Sequence, residues 1–236
     1  DRKLIFLPGL DGTGLSFEPL RPYLPADLHM QVVTYPTHRR LDFEQTVQWA
    51  ADRIRPDPEA IVLAESFSGP VAVALVGSGR LRAKCLILCA TFARSPRPYL
   101  LALSRFLPVA ALLRLPFPYF LFNHIVAGGP AAARVLADLW QRVKPLVPPE
   151  VLAHRLDVIR RVDVRPWLLH LTLPCLYIQA TGDRTVPAGA LMDFTQALPD
   201  LRVVRINGPH FILQAQPRAS LEAIASFLKQ ADTTAQ

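Results

Sequence analysis

Three residues far apart in this 236-residue chain have the types and settings for joint chemistry: Ser66, Asp183 and His210. Ser66 stands in Ala64-Glu65-Ser66-Phe67-Ser68-Gly69-Pro70, directly after the apolar run Ala60-Ile61-Val62-Leu63-Ala64. A serine on so sharp a strand-to-helix turn has its hydroxyl pushed out above the sheet. The turn brings strand and helix close together, so its flanks must be small, and Ala64, Ser68 and Gly69 are. Glycine is usual two residues before and after such a serine; here Ala64 and Ser68 keep the smallness without the literal motif. A serine hydroxyl is a weak nucleophile and needs a base. Of six histidines, His29, His124, His154 and His170 lie in helical or turn contexts and read as structural. His38, after a strand end, could line a cleft. His210 follows the last apolar run, in Asn207-Gly208-Pro209-His210-Phe211. An imidazole in turn needs an acid to fix its tautomer and stabilise its cation. Asp183, in Ala180-Thr181-Gly182-Asp183-Arg184, is placed for that just past another strand end. The chemistry would be nucleophilic attack on an acyl carbon.

These three must be brought to one edge, and the rest of the pattern predicts how. Apolar runs at residues 4–7, 31–35, 60–64, 84–90, 175–179 and 201–206 read as strands. Helical spacing separates them at 17–24, 43–54 and 70–76, and a helix with Pro217 in its first turn closes the chain at 217–229. Alternating strands and helices imply a mostly parallel twisted sheet with helices on both faces. Its continuous apolar strands suit burial on both sides. Loops at the carboxyl ends of such strands are where sites form in open α/β sheets. The alternation breaks between Phe92 and Leu171, where proline-punctuated helical patterns run over 98–107, 109–115, 117–126, 131–143 and 149–161. Asp163 is placed to cap a last short helix through 167–170. The expected organisation is one α/β core, 1–91 with 172–236, and an inserted helical cap at 92–171.

Composition bounds the alternatives. Half of the residues, 51%, are hydrophobic, which excludes disorder. The net charge is +7, but the arginines are scattered singly or in pairs such as Arg39-Arg40. That is a solvated basic surface, not the aromatic-laced stripe of a nucleic-acid binder. Cys85 and Cys89 share one predicted strand, which holds them roughly 13 Å apart, too far for a disulfide. With Cys175 they read as buried free thiols, suited to a reducing compartment. No secretory pattern precedes the first strand, and a cytoplasmic location is expected. From Arg114 to Arg134 no formal charge intervenes, yet Pro116, Pro118, Gly128, Gly129 and Pro130 interrupt the stretch. It reads as a buried or lid segment rather than a membrane span.

The residues Leu7-Pro8-Gly9-Leu10-Asp11-Gly12-Thr13-Gly14, Glu65-Ser66-Phe67-Ser68-Gly69, Gly182-Asp183 with Val186-Pro187, and Gly208-Pro209-His210 together resemble the α/β-hydrolase superfamily, particularly its small bacterial esterase or thioesterase-like members. The resemblance covers nearly the whole chain apart from the cap. Two strands often found at the amino end of that fold have no counterpart, since the sequence begins at the strand before the glycine-rich loop. The order Ser66, Asp183, His210 is the order this fold requires. The resemblance implies an oxyanion hole made by the N–H groups of Phe67 and Leu10, with Asp11 the near competitor of Leu10. The glycine-rich loop lacks the Gly-Lys-Ser/Thr ending of a phosphate loop, and Asp11 would repel an anion.

The implied activity is hydrolysis of a carboxylic ester or thioester through an acyl-serine, with no metal or organic cofactor. A small-molecule ester or thioester is the expected partner, with no nucleic acid and no stable membrane insertion; oligomeric state is left open. Acyl transfer on the same triad, and a ligand-binding protein that keeps the fold without the chemistry, are the rivals. Glu65 reads as a supporting polar residue behind the turn. In the cap, Phe106, Phe117, Phe120 and Phe122 are candidates for an apolar acyl pocket; packing of the cap's own helices is the competing role.

Overall fold

The computed structural model describes residues 2–114 and 130–234. Its centre is a six-stranded sheet in the order β2-β1-β3-β4-β5-β6, parallel throughout. The strands are β1 (Arg2–Leu7), β2 (Leu28–Val32), β3 (Ile61–Glu65), β4 (Cys85–Cys89), β5 (Cys175–Ala180) and β6 (Arg202–Ile206). Successive side chains of a strand point to opposite faces, and here both faces are covered. Ile5, Leu7, Val62 and Ala64 enter one core, while Leu4, Phe6, Ile61 and Leu63 enter the other.

The first core is closed by α1 (Phe43–Ala51), α2 (Ser68–Gly77), α7 (Arg165–Leu168) and α8 (Leu191–Ala197). The second is closed by a 3₁₀ helix (Leu15–Tyr23), α9 (Ile212–Ala215) and α10 (Pro217–Thr234). Helix α1 starts at a capping box in which Asp42 accepts from the Gln45 N–H at 2.8 Å and Gln45 accepts from the Asp42 N–H at 3.0 Å. Helix α2 is buried from Ser68 through Leu75, so its amino end is held rigidly beneath the turn that carries Ser66.

Between β4 and β5 lie α3 (Pro98–Ser104), α4 (Val109–Arg114), α5 (Pro130–Val143) and α6 (Pro149–Arg161), followed by α7. The segment leaves and returns at one place. The Val164 N–H donates to Ala93 O at 2.8 Å and the Ser95 N–H to Val162 O at 3.1 Å, around an isolated bridge between Arg94 and Asp163. Among the described residues, no helix is long and apolar enough to cross a membrane.

Several boundaries differ from the sequence expectation for physical reasons. The second strand runs over Leu28–Val32 rather than 31–35, because β1 fixes its register from Arg2 opposite Leu28 to Phe6 opposite Val32. The chain then turns away, with the Tyr35 N–H donating to Gly12 O at 2.8 Å. The segment expected to be helical at 17–24 is 3₁₀, with Pro19 and Pro22 removing N–H donors inside it. The short helix expected to run from a cap at Asp163 through 167–170 ends at Leu168 and has Val164 as its N-cap, while Asp163 Oδ1 accepts from the Arg165 N–H at 3.1 Å. Helices α8 and α9 had no counterpart in the sequence reading. The pattern at 117–126 lies outside the described residues. All three cysteines are free and buried.

Candidate active site

Four loops at the carboxyl edge of the sheet build the site. Ser66 follows β3 with φ of 50°, a left-handed backbone that a side chain rarely adopts. Strain of this kind persists only where the surroundings over-determine it, and here they do. The Ser66 N–H donates to Cys89 O at 2.9 Å, and the Thr91 hydroxyl donates to Ser66 O. Gly69 has to be glycine, because a Cβ there would fall 1.9 Å from Thr91 Oγ1. Ser68, read from the sequence only as small, also links two loops. The Tyr35 hydroxyl lies 2.6 Å from Ser68 Oγ, and Ser68 donates onward to Pro8 O.

His210 Nε2 lies 2.9 Å from Ser66 Oγ, and His210 Nδ1 lies 2.7 Å from Asp183 Oδ2. An ionised carboxylate only accepts, so Nδ1 carries the proton and Nε2 is left to accept from the serine hydroxyl. The other oxygen of Asp183 accepts from the N–H groups of Thr185 and Val186, each at 2.8 Å. Both side chains of the pair are 7% exposed, which shields their interaction from water. The structure thus brings Ser66, His210 and Asp183 into one hydrogen-bonded line.

Leu10 and Phe67, the expected oxyanion donors, flank this line. Phe67 is the N-cap of α2, at the positive end of that helix's peptide dipoles. Leu10 follows β1, and with Gly9 it joins Ser66 and His210 on the wall of one cavity. Among the described residues no carbonyl or side chain accepts from the Leu10 or Phe67 N–H, so both are free to donate.

The loop that carries Leu10 is gripped by a residue the sequence reading passed over. Arg155, on α6, donates from Nη1 to Leu10 O at 2.9 Å and to Asp11 O at 2.6 Å, and from Nη2 to Pro36 O at 3.0 Å. It is 5% exposed, and burial pulls its guanidinium below the ordinary arginine value. A signal was available: Val151, Leu152, Arg155, Val158 and Ile159 form the buried stripe of α6, and only one of them is charged.

Glu65 is buried behind the turn, accepting from Gln214 Nε2 at 3.0 Å. Burial pushes its carboxyl up to about 7. The cavity above Ser66 has a volume of about 460 Å³, within the usual range of small-molecule sites. Its upper wall is aliphatic and aromatic, with Leu139 and Trp140 from α5 and Leu152 and Leu156 from α6. Phe106 is not part of it. That ring is 74% exposed, because α3 ends at Ser104 and the chain after it runs along the surface. The expectation of an acyl-pocket role for Phe106 is corrected accordingly. Phe117, Phe120 and Phe122 lie outside the described residues. His38 is not on the cavity wall, and His154 bonds Leu41 O at 3.0 Å. Among the described residues, no three His, Cys, Asp or Glu side chains gather as metal ligands.

Comparison with known proteins places this architecture. No protein-family profile matches the chain. A curated relative, phytyl ester synthase 1, chloroplastic, of Arabidopsis thaliana, is 29% identical over 123 residues, which are 48% of this chain. The match spans only 18% of that longer protein. Among solved structures, the enol-lactonase of Burkholderia xenovorans LB400 aligns with a TM-score of 0.75 at 18% identity, covering 97% of this chain and 91% of its own. A bromoperoxidase from Bacillus anthracis aligns with a TM-score of 0.78 at 15% identity over 97% and 92% of the two chains. A thermophilic esterase from Thermogutta terrifontis aligns with a TM-score of 0.73 at 21% identity over 98% and 89%.

Proposed function

The chain has the α/β-hydrolase fold, and from that premise we propose that it is a serine hydrolase cleaving a carboxylic ester or thioester with an apolar acyl group. One observation carries this reading: the unbroken line from Ser66 Oγ through the His210 ring to Asp183 Oδ2, at 2.9 and 2.7 Å. His210 Nε2 takes the Ser66 proton as Oγ attacks the acyl carbon, and Asp183 steadies the imidazolium that results. The carbonyl oxygen gains negative charge and is met by the N–H groups of Leu10 and Phe67, already fixed in place before reaction. Collapse expels the alcohol or thiol, which receives its proton from His210. Water then enters, loses a proton to the same nitrogen, and releases the acid from Ser66. Residues 92–171 act as a cap, and the aliphatic wall from α5 and α6 takes the acyl chain. The three buried free thiols fit a reducing compartment.

A second reading, transfer of the acyl group to a long-chain alcohol, is favoured by the similarity to phytyl ester synthase 1. The acyl-serine is common to both, and only the acceptor differs.

The test is a panel of p-nitrophenyl esters and acyl thioesters of increasing chain length, assayed with and without a phytyl-type alcohol. The reading expects kcat/KM to rise with acyl length, by up to about 0.8 kcal/mol per added CH₂, until the cavity is full. New ester formed when the alcohol is present would identify the transfer reading. No turnover of any ester or thioester would overturn both.

A further inference from the structure

Arg155 is an expensive residue to bury. A guanidinium withdrawn from water loses strong hydration, and the usual compensation is a carboxylate. Among the described residues it forms no salt bridge with a carboxylate, and the Asp11 charge acts on it only from beyond hydrogen-bond range. Its partners are three main-chain carbonyls and the face of Tyr35, whose ring centre is 5.8 Å from Cζ. Joining α6 to the core needs no charge, since its neighbours Val158 and Ile159 already do that with apolar contact. What the guanidinium uniquely fixes is the direction of particular peptide planes.

Two of those planes, through the Leu10 and Asp11 carbonyls, belong to the loop after β1, and the third, through Pro36, lies in the chain after β2. The Leu10 carbonyl shares its plane with the Asp11 N–H, and Nη1 holds that carbonyl at 2.9 Å. The plane before it carries the Gly9 carbonyl and the Leu10 N–H, and Gly9 O accepts from the Gly12 N–H at 3.1 Å. Gly12 in turn is moulded to the guanidinium. Its φ is +72°, and a Cβ there would fall 2.6 Å from Nη1. The links from the Leu10 and Gly12 planes thus run to Arg155, beside the anchors that Tyr35 and Ser68 give the same loop at Gly12 O and Pro8 O.

We propose that Arg155 is the positioning residue of the oxyanion hole, aiming the backbone N–H of the loop after β1 at the acyl oxygen through its bonds to the Leu10 and Asp11 carbonyls. The proposal rests on the serine-hydrolase reading above. Arg155 does not touch the reacting atoms. It acts through the loop, and it ties that loop to α6, the helix whose Leu152 and Leu156 line the cavity. A hole aimed from the cap side loses its geometry when the guanidinium is lost, even with Ser66, His210 and Asp183 intact.

The experiment compares wild type, Arg155→Met and Arg155→Lys in the full chain. It measures kcat and KM on a p-nitrophenyl ester, and affinity for an alkyl boronic acid. The boronic acid forms a tetrahedral anion on Ser66 and so reads the hole directly. Loss of one hole donor typically costs about 10²–10³ in kcat, and a misaimed donor is expected to cost about 10–10². Arg155→Met should lose that factor in kcat with KM changed less than about threefold, because the interaction acts in the transition state. Boronate affinity should weaken by a similar factor, and Arg155→Lys, able to hold one carbonyl, should recover part of both. If Arg155→Met does not fold, Arg155→Lys carries the test alone, with a smaller deficit of the same split. An active wild type whose folded variants keep full kcat, or lose kcat with unchanged boronate affinity, overturns this proposal and leaves the hydrolase reading standing. A wild type inert to all esters and thioesters overturns the hydrolase reading itself.

Discussion

The carboxyl edge of the sheet and the helices between β4 and β5 are built on different principles. At the edge, each proposed catalytic group is held by several hydrogen bonds in a fixed backbone. Asp183 alone has three partners, in His210, Thr185 and Val186. Over the cavity, the walls are Leu139, Trp140, Leu152 and Leu156, held by apolar contact, which has no direction. The segment there also shows large apolar groups to solvent, with Tyr99 in α3 at 91% and Phe106 after it at 74% exposed. The lesson is a division of labour. The edge is built for one geometry, and the upper wall for a class of shapes. Changes at the edge should therefore act on rate by orders of magnitude, and changes in the wall should act on substrate choice by much less.

The largest effect expected is at Ser66. Ser66→Ala should keep the fold and lower kcat by about 10⁶, as is typical when a triad nucleophile is removed. Circular dichroism checks the fold and a stopped ester assay the rate; a loss under tenfold would break the comparison at its strongest point. Next comes Asp183→Asn. It keeps the shape but can donate to Nδ1, which favours the wrong tautomer, and a loss of about 10⁴ is expected.

Glu65 gives a third test, on stability. Its carboxyl is near 4.5 when unfolded and is pushed up to about 7 by burial in the native protein. Below the first value it is protonated in both states. Between the two, only the native state keeps the proton, so stability falls as pH rises. Above about 7 the loss is complete. Glu65→Gln stays neutral and can still accept from Gln214, so it should escape that loss. Denaturation of both proteins across this range should show wild type losing up to about 3 kcal/mol relative to the variant. Parallel curves would remove Glu65 from the account.

How much of this was legible in the sequence follows from the same contrast. Ser66, Asp183 and His210 could be set on one edge because each follows an apolar strand and a parallel sheet puts all strand ends on one side. Tyr35 was read as strand, yet it leaves β2 and bonds Ser68, a contact between loops that no local pattern carries. Arg155 was hidden by its neighbours: Arg160 and Arg161 on the same helix pair with Asp157 at the surface, and only position on the buried stripe sets Arg155 apart. Among the pocket candidates, Phe106 departs from the expectation. A run of aromatics says that apolar surface exists but not which way it faces, and Phe106 faces water while Trp140 faces the cavity.

The smallest predicted effect turns that departure into a test. Trp140→Ala should lower kcat/KM for the longest acyl group accepted by about tenfold, the scale of one lost apolar contact surface, and leave acetyl esters within about twofold. Phe106→Ala should change neither. A loss from Phe106→Ala equal to that from Trp140→Ala would mean that the pocket is drawn on the wrong side of α3.

The central claim is a covalent one, so its most direct test is covalent. The protein is mixed with a slowly deacylating p-nitrophenyl ester, quenched in acid, and weighed intact and as peptides. One acyl group per chain is expected, on the peptide containing Ser66, and none on Ser66→Ala. An adduct on any other residue, or hydrolysis with no adduct and no burst of nitrophenol, would contradict the account.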